Sequence, residues 1–180
     1  MEDLSLHILD IAENSIAAGA RNIEITVIED TARDLLSIEL KDDGKGMTHE
    51  AIHSATDPFF TTRTTRRVGL GLPLLREAAE AANGNLIVRS APGEGTVILA
   101  TFQISHIDRK PIGMMADTIV ALIATPNDVD ICYTHTRDGK TVIFDTQEVR
   151  RQLAGRTLNS VRALNIVREY LTREEEILAL

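Results

Sequence analysis

Residues 8–20 read ILDIAENSIAAGA and form the centre of a segment with strong helical periodicity. Between residues 3 and 18, apolar side chains recur every three or four positions, which predicts an amphipathic helix with one face in a core. A narrow polar stripe along the same helix contains His7, Asp10 and Asn14. These polar side chains are candidates for the chemistry of the protein.

The next part of the chain predicts an α+β fold. Alternating apolar residues indicate strands, and 3.6-residue periodicity indicates helices. Because neighbouring strands are joined by short turns, we expect antiparallel pairs with helices on one face, in a two-layer α/β sandwich. The strands are predicted at 23–28, 35–40, 86–88 and 97–102, the helices at 48–55 and 72–82, and a loop at 56–68.

We expect two parts in the chain, 1–105 and 106–180. Charged residues and Pro111 mark a linker between them. The second part is predicted to be a small α/β extension with a hairpin turn at Asp138-Gly139. Its elements are a helix at 114–124, strands at 129–136 and 141–144, a helix ending near 155, and an amphipathic helix after 157.

Composition excludes several classes of protein. The net charge of −8 argues against a nucleic-acid surface. The single cysteine, Cys132, excludes a disulfide framework or a cysteine-based zinc cluster within the chain. No apolar run approaches the ~20 residues that span a bilayer, and the acidic start is unlike a secretory signal. We therefore expect a cytoplasmic chain without membrane contact.

Asp10 and Asn14 lie four residues apart, so a helix places them on one face. An asparagine oxygen is a suitable ligand for Mg²⁺, which also keeps waters and phosphate oxygens in its shell. Asp10, one turn earlier, can orient or deprotonate a nucleophile. Periodicity alone is equally consistent with a solvated helix face.

Two glycine-containing motifs follow. Asp42-Asp43-Gly44-Lys45-Gly46 ends a predicted strand, where its glycines permit close backbone approach to a ligand and Asp42 can accept a hydrogen bond from the amine of adenine. Gly69-Leu70-Gly71-Leu72 opens a helix, whose first amides can hold phosphate. Each motif alone is also consistent with an ordinary turn or helix start.

In this order, the motifs over residues 4–102 resemble the nucleotide-binding domain shared by DNA gyrase, heat-shock protein ninety, sensor histidine kinases and mismatch-repair ATPases. Residues 11–20 are similar to the N-box, and 42–46, 69–72 and 93–98 to the three glycine boxes. Residues 57–63 are similar to the F-box of histidine kinases. The resemblance implies a Bergerat-type α/β sandwich that binds ATP and Mg²⁺ beneath a lid formed by 48–68.

The resemblance also implies roles for individual residues. Asn14 would bind the metal, Asp42 the adenine amine, and Thr96 would support the adenine through a water. Residues 69–72 would hold the phosphates, and lid closure would bring Thr62 and Arg63 near the γ-phosphate. Hydrolysing members usually carry glutamate where this chain has Asp10, which is shorter by one methylene.

Three functions are consistent with these features. The first is a stand-alone protein kinase that phosphorylates a histidine or serine of a partner, because 180 residues leave no room for the helix pair that carries a histidine kinase's own acceptor. The second is a slow ATPase that switches a partner interface, and the third is a non-enzymatic nucleotide sensor. Residues 106–180 are expected either to bind a partner or form a homodimer, or simply to pack on the ATP domain.

Overall fold

A computed structural model describes residues 3–56, 71–125, 128–152 and 157–179. The strands of its sheet are β1 (Asn22–Asp30), β2 (Leu35–Asp42), β3 (Asn85–Ala91), β4 (Gly95–Gln103), β5 (Asp130–Arg137) and β6 (Lys140–Asp145). The helices within these ranges are α1 (Leu4–Ala17), α2 (His49–Thr56), α3 (Gly71–Ala81), α4 (Met115–Ala124), α5 (Thr146–Gln152) and α6 (Val161–Ala179).

The six strands form one sheet in the order β3-β4-β2-β1-β5-β6. The pairs β1–β2, β2–β4, β3–β4 and β5–β6 are antiparallel. Among the described strands, β1 and β5 are the one pair that runs in parallel, with Ile25 opposite Tyr133. The mixed α/β sandwich expected from the sequence is thus confirmed, and the parallel pair is a feature that local patterns did not predict.

The helices cover one face of the sheet. Along β1, Ile23, Ile25 and Val27 are almost completely buried, whereas Glu24 and Ile28 on the opposite face are exposed. This period-two alternation follows from strand geometry. Leu4, Ile8 and other apolar residues of α1 complete the same core from the helix side, so Asp10 and Asn14 of the polar stripe lie at its border.

The second part of the chain extends this sheet and its core. The backbone amides of Leu4 and Ser5 donate to the carbonyls of Pro111 and Ile112, at 2.9 and 2.7 Å. The helix α4 that follows packs against α1, and α6 packs against α4, β5 and β6. The elements α4 and β5 therefore pack on the first part, while the boundary at 105/106 stays a prediction.

A buried polar chain joins β1, β5 and α6. Tyr133 lies fully inside, and its hydroxyl donates to Glu175 at 3.2 Å and lies 3.1 Å from Nδ1 of His135. Nε2 of His135 reaches Glu29 at 3.0 Å, and this hydrogen bond lowers the pKa of the Glu29 carboxyl. Desolvation raises the pKa of Glu175. The contacts fix the end of α6 against the sheet.

Within the described ranges, no helix combines the length and apolar character that crossing a bilayer requires.

Candidate functional site

The polar stripe of α1 carries Asp10 and Asn14 as predicted. The amide nitrogen of Asn14 donates to the Asp10 backbone carbonyl at 2.8 Å and lies 3.4 Å from Oδ2 of Asp10. Asn14 is exposed and Asp10 is half-buried. Because the amide nitrogen is directed to Asp10, the amide oxygen is the atom of Asn14 suited to ligate a hard cation.

The start of α3 lies directly against Asp10. Gly71 is buried, and a Cβ atom at this position would overlap Oδ2 of Asp10. Glycine is therefore required here by close approach between two helices. The N-terminus of a helix carries partial positive charge and unpaired amides, which favour a phosphate group. The contact thus places a helix start that could hold an anion next to the Asp10 carboxylate, one turn of α1 from Asn14.

Asp42 forms a second, buried carboxylate at the end of β2. Its side chain is held on both oxygens: Oδ2 accepts from the Ser15 hydroxyl at 2.7 Å, and Oδ1 accepts from the Gly44 amide at 2.9 Å. Ser15 follows Asn14 on α1 and is also buried. Each carboxylate oxygen can accept more than one hydrogen bond, so a fixed Asp42 retains capacity for an exocyclic amine.

Two hydroxyls follow Asp42 across the sheet, one on β4 and the next on β3. Thr96 is the cross-strand partner of Asp42, is buried, and lies 3.0 Å from the Ser90 hydroxyl. Ser90 donates to the Gly95 carbonyl at 2.6 Å and accepts from the Met47 amide at 2.8 Å. These bonds tie the loop after β2 to the β3–β4 hairpin.

The loop after β2 passes very close to that hairpin. Gly46 has φ +65°, and a Cβ there would overlap the Ala91 carbonyl oxygen. The Gly93 amide donates to the Lys45 carbonyl at 2.8 Å, and the Lys45 amide donates to the Ala18 carbonyl at 3.1 Å. The glycine box is thus fastened to the end of α1 on one side and to the hairpin on the other.

Asp43 secures the same loop to the start of β1. Its carboxylate accepts from the Arg21 and Asn22 amides at 2.7 and 2.9 Å and from the Asn22 side chain at 2.7 Å. The hydrogen bonds from Asn22 hold the pKa of Asp43 below its usual range. The side chain of Asp42 points inward and that of Asp43 points outward. Asp42 therefore lies in the candidate site, whereas Asp43 secures the loop.

His7 lies one turn before Asp10 and is completely buried. Neither ring nitrogen has a hydrogen-bond partner among the described residues. Burial, assisted by the charge of Lys110, lowers the pKa of His7 to about 4. The imidazole is therefore neutral at physiological pH, and it adds no positive charge beside Asp10.

The structure brings together Asp10, Asn14 and Gly71 at one end of the site, and Asp42, Gly44, Gly46 and Thr96 at the other. Leu72 packs partly buried against the core. Thr62, Arg63, Gly69 and Leu70 lie outside the described residues, as does the predicted loop beyond Thr56. The roles of all these residues toward a nucleotide stay predictions.

The sequence did not indicate Ser15 or Ser90 as site residues, nor that Asp43 would secure the loop to the start of β1. The signal that could have identified Ser15 was its place directly after Asn14 in the N-box-like stretch. Ser90 lies opposite Thr96 across the turn at 92–95, so the hairpin register would have found it. The side of α1 that faces the candidate site therefore carries three polar residues, Asp10, Asn14 and Ser15.

A family model described as "Histidine kinase-, DNA gyrase B-, and HSP90-like ATPase" matches residues 2–106. The chain belongs to this ATPase family. The match covers α1 through β4, the elements that carry both carboxylates, Asn14 and Gly71. The family resemblance read from the boxes is thus confirmed, and membership supports ATP binding by this site.

The chain is also similar to parts of several curated proteins, some of which are kinases by name. The chain is 30% identical over 112 residues to the non-motile and phage-resistance protein of Caulobacter vibrioides, covering 57% of this chain and 13% of that protein. It is 32% identical over 94 residues to sensor histidine kinase YvrG of Bacillus subtilis, covering 50% and 16%. It is 35% identical over 98 residues to sporulation kinase E of the same organism, covering 53% and 13%. The chain spans less than a fifth of the length of these relatives.

A solved structure, the N-terminal domain of a DNA repair protein, shares the fold. The TM-score is 0.54 at 16% sequence identity, over 79% of this chain and 52% of that one. The likeness extends beyond the share matched by the kinase relatives, and it concerns the fold alone.

Proposed function

We propose that this protein is an ATP- and Mg²⁺-dependent kinase that transfers the γ-phosphoryl group to a partner protein. The observation that carries the proposal is the contact between Gly71 and Asp10. It puts a helix start suited to phosphate next to a carboxylate and the amide oxygen of Asn14, which are the groups that phosphoryl transfer uses.

Asp42 is the base-recognition residue in this proposal. Its carboxylate is buried and fixed by Ser15 and Gly44, so it can accept the amine of adenine in a defined direction. Guanine presents a carbonyl at the corresponding position, which a carboxylate repels. Buried acceptors of this kind reject the wrong base because desolvated polar groups would stay unpaired.

Asn14 and Asp10 are the residues at the phosphate end. The oxygen donor set fits Mg²⁺, which Asn14 would hold together with phosphate oxygens and water, and the ion would neutralise charge on the triphosphate. In the transfer step, the bond from the γ-phosphorus to the β–γ bridging oxygen breaks and a bond to the acceptor atom forms. Asp10 takes the acceptor's proton when the acceptor is a hydroxyl.

The partner is proposed to be recognised by residues 106–180, because phosphoryl transfer itself depends mainly on positioning and charge. Within this part, α6 presents Ile166, Tyr170 and Ile177 along one stripe, at 58%, 44% and 45% exposure. A homodimer formed through the same part is the alternative use of this stripe. Sedimentation of the protein alone distinguishes the two, since a monomer leaves the stripe for another protein.

The deciding experiment is incubation with γ-labelled ATP and Mg²⁺, with the protein alone and with host lysate. Label on a second protein supports the proposal, and label on this chain indicates autophosphorylation. Release of free phosphate alone would replace the kinase by a slow ATPase, and no turnover with retained ATP binding would leave a nucleotide sensor.

Two variants connect the outcome to the site. Asp10→Asn should abolish transfer while ATP still binds, because Asp10 acts at the phosphate end. Asp42→Asn should abolish binding itself. Asp108→Asn, at an exposed carboxylate far along the chain, is the matched control and should leave both unchanged. Transfer that survives in Asp10→Asn contradicts the catalytic role of Asp10.

A further inference from the structure

His7 is a buried side chain whose hydrogen-bonding groups have no partner. It is completely buried on α1, and no other described residue has buried side-chain nitrogen or oxygen atoms left unpaired. A neutral imidazole offers one N–H donor and one acceptor nitrogen. A buried polar group without a partner destabilises a protein, because it gives up water and gains nothing in return. An apolar side chain of similar size would suit the free fold better, so the histidine indicates a role in another state of the molecule.

The ring lies at the junction of α1 with the start of α3. The two helices pack together, and Asp10, one turn after His7, is in close contact with Gly71. The backbone of Gly71 also interacts with the imidazole and opposes the fall of its pKa. Only an acceptor has that effect, so the group facing the ring is the Gly71 carbonyl. Because neither ring nitrogen makes a hydrogen bond of normal geometry, a donor and an acceptor face each other here without being bonded.

The charged groups around His7 do not supply the missing partner. Lys110 lowers the pKa of the ring and Asp3 raises it, both by less than burial lowers it. The Asp3 carboxylate instead accepts from the Ser5 hydroxyl and the Leu6 amide, at 2.8 and 3.1 Å. With a pKa of about 4, the ring is neutral at physiological pH and keeps a single N–H. The backbone acceptor on α3 is therefore the group toward which this N–H can turn.

We propose that His7 is a positioning residue for nucleotide binding, which donates to the Gly71 carbonyl once a phosphate group occupies the start of α3. This role rests on the proposed function, since it takes α3 as the phosphate-binding helix. The free amides of a helix start bind phosphate directly, so the ligand fixes where that first turn lies. A histidine side chain turns easily about its outer torsion, so the bond needs little movement of the backbone.

The unpaired ring couples the position of α3 to ligand binding. In the free protein the N–H of His7 has no partner, and in the nucleotide-bound protein it has one. A ligand shifts an equilibrium by its differential affinity for the two states, so the new bond adds to the apparent affinity for ATP. It also holds the start of α3 against α1, beside the residues proposed for the metal and for transfer. His7 acts through α3 and touches no substrate atom.

Calorimetry of His7→Leu with ATP and Mg²⁺ tests this role. We expect binding that is weaker by about two- to tenfold, the range for one hydrogen bond between neutral groups. The same variant should unfold at a higher urea concentration in the absence of nucleotide, because the unpaired polar group is gone. His7→Gln keeps an N–H donor and should recover part of the lost affinity.

Thr118→Val is the matched control, at a buried hydroxyl that does have a partner. Thr118 donates to the Ser5 carbonyl of α1 at 3.3 Å. Its loss should lower the urea midpoint and leave ATP affinity unchanged, which is the opposite pattern to His7→Leu. Equal ATP affinity in His7→Leu and the unaltered protein overturns the positioning role and leaves the proposed nucleotide site standing. Absence of ATP binding by the unaltered protein contradicts both.

Nuclear magnetic resonance of protein labelled with ¹⁵N-histidine observes the bond itself. The His7 signal is identified by its absence in His7→Leu. Addition of a non-hydrolysable ATP analogue with Mg²⁺ should move its N–H proton to lower field and slow the exchange of that proton with water. A His7 resonance that stays unchanged at saturating analogue overturns the proposal.

Discussion

The hydroxyl of Ser15 donates to Oδ2 of Asp42 at 2.7 Å, and both side chains are buried. This bond joins α1, which carries the residues proposed for the phosphate end, to the strand end that carries Asp42, the residue proposed for the base. The two halves of the proposed nucleotide site are therefore connected by a direct charge-assisted hydrogen bond. Such bonds are stronger than those between neutral groups.

Replacing Ser15 by alanine is expected to weaken ATP binding by about tenfold to a hundredfold, since hydrogen bonds to charged groups contribute roughly 1.5–3 kcal/mol and 1.4 kcal/mol is a factor of ten. Selectivity for ATP over GTP should fall as well, because Asp42 loses its fixed direction. Calorimetry with both nucleotides measures the two effects. Ser54→Ala, which removes a hydroxyl from α2, is the control. Undiminished ATP affinity in Ser15→Ala would contradict this account of Asp42.

Gly71→Ala is expected to displace Asp10 or the start of α3, because the new methyl group would overlap the Asp10 carboxylate. Overpacking of this kind costs about 1–3 kcal/mol of folding free energy. Urea unfolding and ATP binding should both be impaired. The double variant Asp10→Ala/Gly71→Ala removes the overlap, so it should regain stability without regaining turnover. A single variant as stable as the original protein would show that the two helices are not in firm contact.

Glu175→Gln is expected to raise the free energy of unfolding near neutral pH. Burial raises the folded-state pKa of Glu175, so its ionisation opposes folding as pH rises through that value. Glutamine stays uncharged and can still accept from Tyr133. The gain should disappear at acid pH, below the ordinary glutamate pKa of about 4.3, where Glu175 is protonated in both states. Urea unfolding from pH 4 to pH 8 measures this, with Glu174→Gln as the control; a gain that is independent of pH would refute the ionisation effect.

Asp43→Asn is expected to destabilise the fold by about 0.5–1.5 kcal/mol at neutral pH, through loss of the hydrogen bond from the Asn22 side chain. The folded-state pKa of Asp43 is lowered, so its contribution is present above the ordinary aspartate pKa and is lost as pH falls through the folded-state value. The unfolding curves of variant and unaltered protein should therefore converge in acid. A constant difference across pH would show that packing, and not the charge, is responsible.

Local sequence patterns predicted the parts of this fold that depend on neighbours in sequence. The apolar spacing around residues 8–20 gave α1, and turn chemistry at Asp138-Gly139 gave the β5–β6 hairpin. The order of the sequence motifs also indicated that Asp10, Asn14 and Asp42 belong to one site. Contacts between distant residues had no such signal. Ser15 looked like any small residue on a helix, and its partner Asp42 is 27 residues away.

The parallel pairing of β1 with β5 was beyond local patterns for the same reason. Ile25 and Tyr133 are each typical strand residues, but nothing near either of them specifies the other as a partner. The close approach of Gly71 to Asp10 similarly depends on how α3 docks on α1. In the sequence, the glycine at position 71 suggested that a phosphate could approach the backbone there. The structure adds a second reason for glycine, because a side chain at this position would overlap Asp10.

The position of β5 has a consequence for where the chain can be cut. The family match ends at residue 106, yet β5 occupies the hydrogen-bonding edge of β1 and α4 covers part of α1. A fragment that stops at the match would leave β1 as an open edge, with backbone groups ready to pair with another molecule and apolar surface in water. Such a fragment should aggregate more readily than the whole chain, because β5 and α4 are what cover this edge and this surface.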